Sequence, residues 1–255
     1  MFARERQENI AKLILEKESV SVVELSELYD ISEVTIRKDL EELQRQGRVI
    51  RTHGGAVSLY KPSAAFSFQD LSVKCIEEKQ QIARTAIDLI ADGDSIILDG
   101  STTVQELAKL IVGSGKKDLT IITTSINTAV LFKDKEDVSV VLIGGVINFR
   151  MNTMEGVIAE KQLRDLCLDK GFVGINGIDR EFGFSTSSFN EAEIKKVFME
   201  SARETYVLAD HTKFDKKYMV KVIGLEDGGR HIITNRKYGY DYSEWEEKID
   251  MIYAE

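Results

Sequence analysis

Residues 95–112 read SIILDGSTTVQELAKLIV, an apolar run that breaks at Asp99-Gly100, passes three hydroxyl residues and resumes as a helical pattern. A short apolar run closed by a turn signal and followed by a helical period marks a buried strand feeding a helix. The unit repeats outward. Upstream, EKQQIARTAIDLIADG has a helical period; downstream come the strand LTIITT, the helix INTAVLF and the strand VSVVLIGG, and the alternation runs on to HIITN near residue 235. Strands alternating with helices imply an α/β fold with a parallel sheet covered on both faces.

Ligands of such sheets sit outside the carboxyl ends of the strands. Those ends hold Asp99 to Thr103, then Thr124 and Ser125, then Gly144 and Gly145, with Asn176, Asp179, Asp210 and Lys213 at the ends of later strands. DGSTT suits an anion: Gly100 permits a tight turn, Ser101, Thr102 and Thr103 bring hydroxyls, and the backbone amides open the next helix at its positive end. Gly144-Gly145 removes side chains where a backbone or ligand must approach, and Asp99 can accept from sugar hydroxyls. Ser and Thr also cap helices wherever a strand meets one, so a single loop carries little. Several convergent loops, with Lys213 and Asp210, point to a small anionic ligand.

Ahead of this region, SLYKPSAAFSFQD contains the one proline, Pro62, and has neither helical nor strand period. The reading assigns residues 1–57 to a first domain, 58–72 to a linker and 73–255 to a second. In the first, Ser21 stands three residues before Glu24, a capping-box spacing that starts a helix near Val22. Ser32 caps another pattern, whose Ile36, Leu40 and Leu43 form a buried stripe up to Gly47. A helix from Ala3 to Lys17 with Ile10, Leu13 and Ile14 on one face completes a three-helix unit with a tight turn. Opposite the stripe lie Val34, Lys38, Glu41 and Arg45, flanked by Thr35 and Arg37, so the start of this helix can enter a DNA major groove. GRVIRTHGGAV then offers two short extended pieces with Arg48, Arg51 and His53 and a Gly54-Gly55 tip, a wing poised over phosphates.

Of 255 residues 43% are apolar, and no apolar run reaches the 18 or so that a membrane helix needs. MFARERQE lacks an apolar export region, so a cytoplasmic protein is expected. Cys75 and Cys167 make no disulfide framework, and His53, His211 and His231 stand apart without metal-ligand spacing, so neither metal nor cofactor is expected. A net charge of −9 excludes a protein that coats nucleic acid over its whole surface. Residues 1–60 carry nine Lys or Arg against eleven acids, a net of −2. Between 43 and 58, however, the charged residues are Arg45, Arg48 and Arg51, a local positive cluster at helix end and wing.

The run ERQENIAKLILEKESVSVVELSELYDISEVTIRKDLEELQRQGRVIRTHGGAV, with its TIRKDL core and HGGA wing, resembles the N-terminal winged helix-turn-helix of the DeoR family of bacterial transcriptional regulators. EKQQIARTAIDLIADGDSIILDGSTT, LTIITTS, VVLIGG, GFVGINGID, EAEIKKVFMESA and LADHTKF are similar to that family's C-terminal sensor domain, which resembles ribose-5-phosphate isomerase. The resemblance implies an all-α winged helix-turn-helix followed by a parallel-sheet α/β sensor. It implies double-stranded operator DNA and a phosphorylated sugar as partners, no membrane, and a homo-oligomer, dimer or tetramer. Candidate DNA contacts are Ser32, Val34, Thr35, Arg37, Lys38, Arg48, Arg51 and His53. Candidate effector contacts are Asp99, Gly100, Ser101, Thr102, Thr103, Thr124, Ser125, Gly144, Gly145, Lys195, Asp210 and Lys213. The sequence departs from the family pattern in three places. DGSTT stands where Asp-Ser-Gly-Thr-Thr is commoner, Thr124 where Asn is frequent, and Lys38 where Arg is usual, a change that gives up the bidentate fork.

The resulting expectation is a DNA-binding regulator, a repressor of carbohydrate-metabolism genes modulated by a phosphorylated sugar, and not an enzyme. The alternative is a sugar-phosphate isomerase, with Asp99, Asp179, Glu193 or Asp210 as acid-base groups beside Lys213. A third reading is a scaffold whose second domain only oligomerises.

Overall fold

The computed structural model describes residues 3–17, 19–46, 48–52, 54–58, 67–226 and 229–255. The chain divides into two compact units, Met1–Ala65 and Phe66–Glu255.

The first unit runs α1 (Ala3–Lys17), β1 (Ser19–Ser21), α2 (Val22–Tyr29), α3 (Glu33–Arg45), β2 (Val49–Thr52) and β3 (Gly55–Ser58). Ser21 caps α2 by accepting from the Glu24 amide at 3.0 Å, while the Glu24 carboxylate takes the Lys17 ammonium, so only half of the expected capping box forms. Asp30 turns the chain between α2 and α3 in the left-handed region at φ 51°, which Asp tolerates better than most residues. Ile36, Leu40 and Leu43 are fully buried against Ile10, Ile14 and Leu25, the stripe read from their spacing. Asp39, one of the eleven acids of residues 1–60, is buried. It accepts from Arg6 Nε at 2.6 Å and Gln7 Nε2 at 2.8 Å, which ties α3 to α1. The unit is also not purely helical. β1 joins the wing hairpin in an antiparallel sheet of order β1-β3-β2, a strand too short for periodicity to reveal. Gly47 and His53, and residues 59–66 of the expected linker, lie outside the described residues.

The second unit opens with α4 (Phe68–Ser72), α5 (Ile76–Ile87), β4 (Ser95–Leu98), α6 (Thr102–Gly113), β5 (Leu119–Thr123), α7 (Ile126–Leu131) and β6 (Val138–Leu142). A ribbon of β7 (Val146–Asn148) and β8 (Thr153–Glu155), then α8 (Val157–Arg164), β9 (Leu168–Gly174), β10 (Gly177–Asp179) and β11 (Gly183–Thr186) follow. The chain ends with α9 (Phe189–Glu200), β12 (Ala202–Leu208), β13 (Val220–Ile223), β14 (Arg230–Asn235), α10 (Ser243–Glu246) and β15 (Asp250–Ala254). Seven of these strands make one parallel sheet of order β15-β14-β12-β9-β4-β5-β6. Successive strand residues serve opposite faces. Ile97, Val173, Val207 and Ile232 meet α8 and α9, while Ile96, Leu98, Phe172 and Ile233 meet α5 and α6. Fully burying each such side chain contributes about 1.5–3 kcal/mol, which fixes the register and hence the strand ends that carry the site.

In the tail, the spacing of the apolar residues predicts a terminal helix, and the structure departs from it. Trp245, Ile249 and Ile252 have helical spacing, but only a four-residue α10 forms, and β15 pairs in parallel with β14. The open edge of β14 offers a row of backbone partners that a short, amphipathic terminal helix lacks.

Candidate functional site

In the first unit, Ser32 accepts from the Thr35 amide at 3.4 Å and its hydroxyl lies 3.0 Å from that of Thr35, which sets the start of α3. Val34 is 65% exposed and Lys38 is exposed, with Thr35 and Arg37 half-buried beside them, so the expected face is open to solvent. The cations there are not idle. Arg37 bonds Glu33 at 3.1 Å, Arg48 grips Glu8 in a fork at 2.7 and 2.9 Å, and Arg51 bonds Glu41 at 2.7 Å. Arg37, Arg48 and Arg51 thus each carry a carboxylate that any incoming anion would have to displace.

In the second unit, Asp99 leaves the end of β4 fully buried. Its two oxygens accept from the Ser101 amide at 2.8 Å, the Gly174 amide at 3.0 Å and Lys195 Nζ at 2.6 Å. Burial pushes the Lys195 ammonium down, but Asp99 and Glu191, 3.6 Å away, outweigh it and hold the group above its ordinary value. Gly100 and Gly174 are needed for contact. A side chain on Gly100 would meet Thr153 Cγ2 at 2.2 Å, and one on Gly174 would meet Ser101 Oγ at 2.3 Å. Ser101 and Ser125 cap α6 and α7, and Thr102, Thr103, Thr124 and Ser125 are buried. The ribbon closes over these loops: Met154 donates to Thr124 O at 2.8 Å and Ile126 to Asn152 O at 2.9 Å.

A second charged group stands at the end of β12. Asp210 is 1% exposed, accepts from the Thr212 amide at 2.9 Å and from its hydroxyl, and lies 3.9 Å from Lys213 Nζ. Burial pushes its carboxyl up, yet Lys213 and the Thr212 donors outweigh burial and hold it below the usual range. Lys79 of α5 joins this group, 4% exposed, its ammonium donating to Leu71 O. Burial, then repulsion from Lys213, brings its pKa down to about 8. Glu106, another carboxylate acting on Lys79, is already bonded to Lys109 at 2.5 Å. Asp210 thus pairs with Lys213 and also acts to raise the pKa of Lys79, whose ammonium itself bonds Leu71 O. Lys79 was not among the expected residues, although Lys79, Ile82, Ala83 and Ala86 are spaced as one helical stripe and all four are buried. A lysine on an apolar stripe was the available signal.

Other expected positions fall elsewhere. Gly144 bonds Gln162 of α8, and a side chain on Gly145 would meet Glu155 O at 2.7 Å, so this pair lets the ribbon close on α8. Asp179 is not at a sheet end. It caps the β10–β11 hairpin by accepting from the Glu181 and Phe182 amides at 3.1 and 2.7 Å. Glu193 is exposed on α9, away from Asp99 and Lys195, which are buried. Among the described residues no helix is long and apolar enough to cross a membrane.

The DeoR C terminal sensor domain family matches residues 74–236, and the DeoR-like helix-turn-helix domain family matches residues 6–61. The HTH-type transcriptional regulator YulB of Bacillus subtilis (strain 168) is 33% identical over 232 residues, 91% of this chain and 89% of that one. The glycerol-3-phosphate regulon repressor of Escherichia coli (strain K12) is 31% identical over 222 residues, 87% of each. Among solved structures, a D-ribose-5-phosphate isomerase in complex with phospho-erythronic acid aligns over 55% of this chain and 54% of its own, with a TM-score of 0.41 and 19% identity.

Proposed function

The chain belongs to the DeoR family of DNA-binding transcriptional regulators, and from that membership we propose that it is a repressor of carbohydrate-metabolism genes whose hold on operator DNA is modulated by a phosphorylated sugar. Residues 1–57 read the operator, 58–72 connect, and 73–255 bind the effector and oligomerise. The observation that carries the effector reading is the buried carboxylate of Asp210, 3.9 Å from Lys213 and felt by the buried Lys79, whose charge repels that of Lys213. Lys79 holds its charge out of water, while the Lys213 side chain is 28% exposed and open to an incoming anion, so a phosphate gains a site whose desolvation has in part been met by folding. The Thr102 and Thr103 amides and the hydroxyls of residues 101–103 supply neutral donors, while Asp99 holds Lys195 and the Ser101 amide in place beneath them. No turnover is assigned, because Asp99 is saturated by Lys195 and two amides, which leaves it no freedom to move a proton.

The effector must prefer one arrangement of the protein over the other, since equal affinity for both shifts nothing. A thermal-shift screen tests the site. A sugar phosphate at a hundredfold excess over its Kd adds about 2.7 kcal/mol and raises the melting temperature by about 5–10 °C, while the unphosphorylated sugar leaves it unchanged. Equal response to both sugars, or to neither across a panel of phosphorylated metabolites, refutes the reading.

Lys79 gives the site a pH signature. Folded Lys79 loses its proton at about 8, against 10.5 for a free lysine, so ligand-free stability rises from pH 8 to 10.5 as the folded chain sheds a charge it holds at a cost. Phosphate affinity moves the other way, weakening by up to about tenfold per pH unit above 8 because binding requires the ammonium. Titration calorimetry at pH 7, 8 and 9 reads the slope. Lys79→Met is expected to weaken binding at pH 7 and flatten the dependence, and a parallel slope in the variant would count against Lys79.

A further inference from the structure

β6 closes one side of the seven-stranded sheet, and among the described residues its outer row of backbone groups has no strand partner. Open edges in monomeric proteins are blunted by charge, proline or a bulge. Val138-Ser139-Val140-Val141-Leu142 has none of the three. Its second face is bare as well: Val138 and Val140 pack on the α5–α6 side, whereas Val141 is 45% exposed where α8 and α9 cover the neighbouring strands. The apolar surface continues beyond the strand. Leu142, Val146, Phe149, Val157 and Ile158 are 39, 68, 81, 63 and 63% exposed. The Gly144–Gln162 bonds and the close approach of Gly145 to Glu155 draw the start of the ribbon and the first turn of α8 together beside the end of β6.

We infer that this β6 edge, with the ribbon and the start of α8, is the face on which a second copy of the chain docks about a two-fold axis. The occupant follows from self-complementarity and area. A two-fold axis at Val140 sets β6 antiparallel to its mate, with Val138 opposite Leu142 and Ser139 opposite Val141, so no like charges meet and every outward backbone group finds a partner. The six exposed residues present on the order of 600 Å² per copy, or about 1,200 Å² in the pair, which reaches the lower end of stable specific interfaces and stands at the top of what a typical monomer leaves bare. The interface would join directly to the Gly144-Gly145 turn, and so to the ribbon that covers the effector loops.

Sedimentation equilibrium of the full chain tests the inference. The wild type is expected at twice 28.7 kDa or an even multiple of it, and Val141→Glu with Val146→Glu is expected to halve that mass while far-UV dichroism stays unchanged. A monomeric wild type at about 100 µM, or a mass unaffected by the two substitutions, overturns the proposal. Should the double variant fail to fold, amide exchange of residues 138–142 in the wild type decides: protection must rise with protein concentration, and concentration-independent exchange overturns it. The inference rests on the proposed function only for the use made of the pair. A monomer that still binds sugar phosphate sinks the interface alone, and a dimer without ligand response sinks the sensor alone.

Discussion

Asp99→Ala is expected to cost the sensor unit about 3–5 kcal/mol, because it strands a buried ammonium without its counter-charge. The carboxylate meets three donors at once, Lys195 Nζ at 2.6 Å and the amides of Ser101 and Gly174 at 2.8 and 3.0 Å, so its loss also leaves two backbone groups unpaired. Trp245, the one tryptophan, is fully buried in the sensor unit, so its fluorescence during urea denaturation of the full chain follows that unit alone. The midpoint is expected to fall with the slope unchanged. Asp99→Ala with Lys195→Met should recover much of the loss, since removing both charges leaves none uncompensated. A single variant that loses less than about 1 kcal/mol would show the pair to be solvated rather than a buried ion pair.

Most of the sheet was legible because its strands are buried on both faces. SIIL and LTIIT announce themselves as apolar runs, and parallel pairing then dictates where their loops lie. What escaped was set by contacts between distant parts of the chain. The ribbon of Val146–Asn148 and Thr153–Glu155 is two three-residue strands, too short for a period of two to register, yet Thr153 is the side chain that requires Gly100. The tail was read by spacing alone, and an open sheet edge overrode that spacing. Within the site, Asp99 and Lys195 are 96 residues apart, and only their shared place among the candidates joined them before the fold did. The charge count of the first unit was readable but its meaning was not. Arg37 and Glu33 are one helical turn apart, whereas Arg48 and Glu8 are separated by 40 residues, and several of the acids that make the domain net negative turn out to be partners of the arginines proposed to contact DNA.

Those partners shape the second large effect. Arg37→Ala with Lys38→Ala is expected to weaken operator binding by about 2–6 kcal/mol, roughly 30-fold to 10⁴-fold, if each residue makes one phosphate or base contact. Both side chains lie on the open side of α3, opposite the fully buried Ile36 and Leu40, so the double variant should fold as the wild type does. Arg37 is not free to bind without cost. Its bond to Glu33 at 3.1 Å must break, and the released carboxylate then sits near the phosphates. Glu33→Gln removes that opposition, and it is therefore expected to tighten binding to operator and non-operator DNA alike. Fluorescence anisotropy with labelled promoter DNA, run across a salt series, separates the two residues. Loss of a phosphate contact lowers the salt slope by about one, whereas loss of a base contact lowers affinity for the operator alone. Lys38, a point charge where the family's arginine would offer a fork, should account for the change in slope, and Arg37 for the loss of discrimination. Unchanged affinity in a folded double variant would move DNA contact away from α3 altogether, leaving the paired arginines of the wing to account for it.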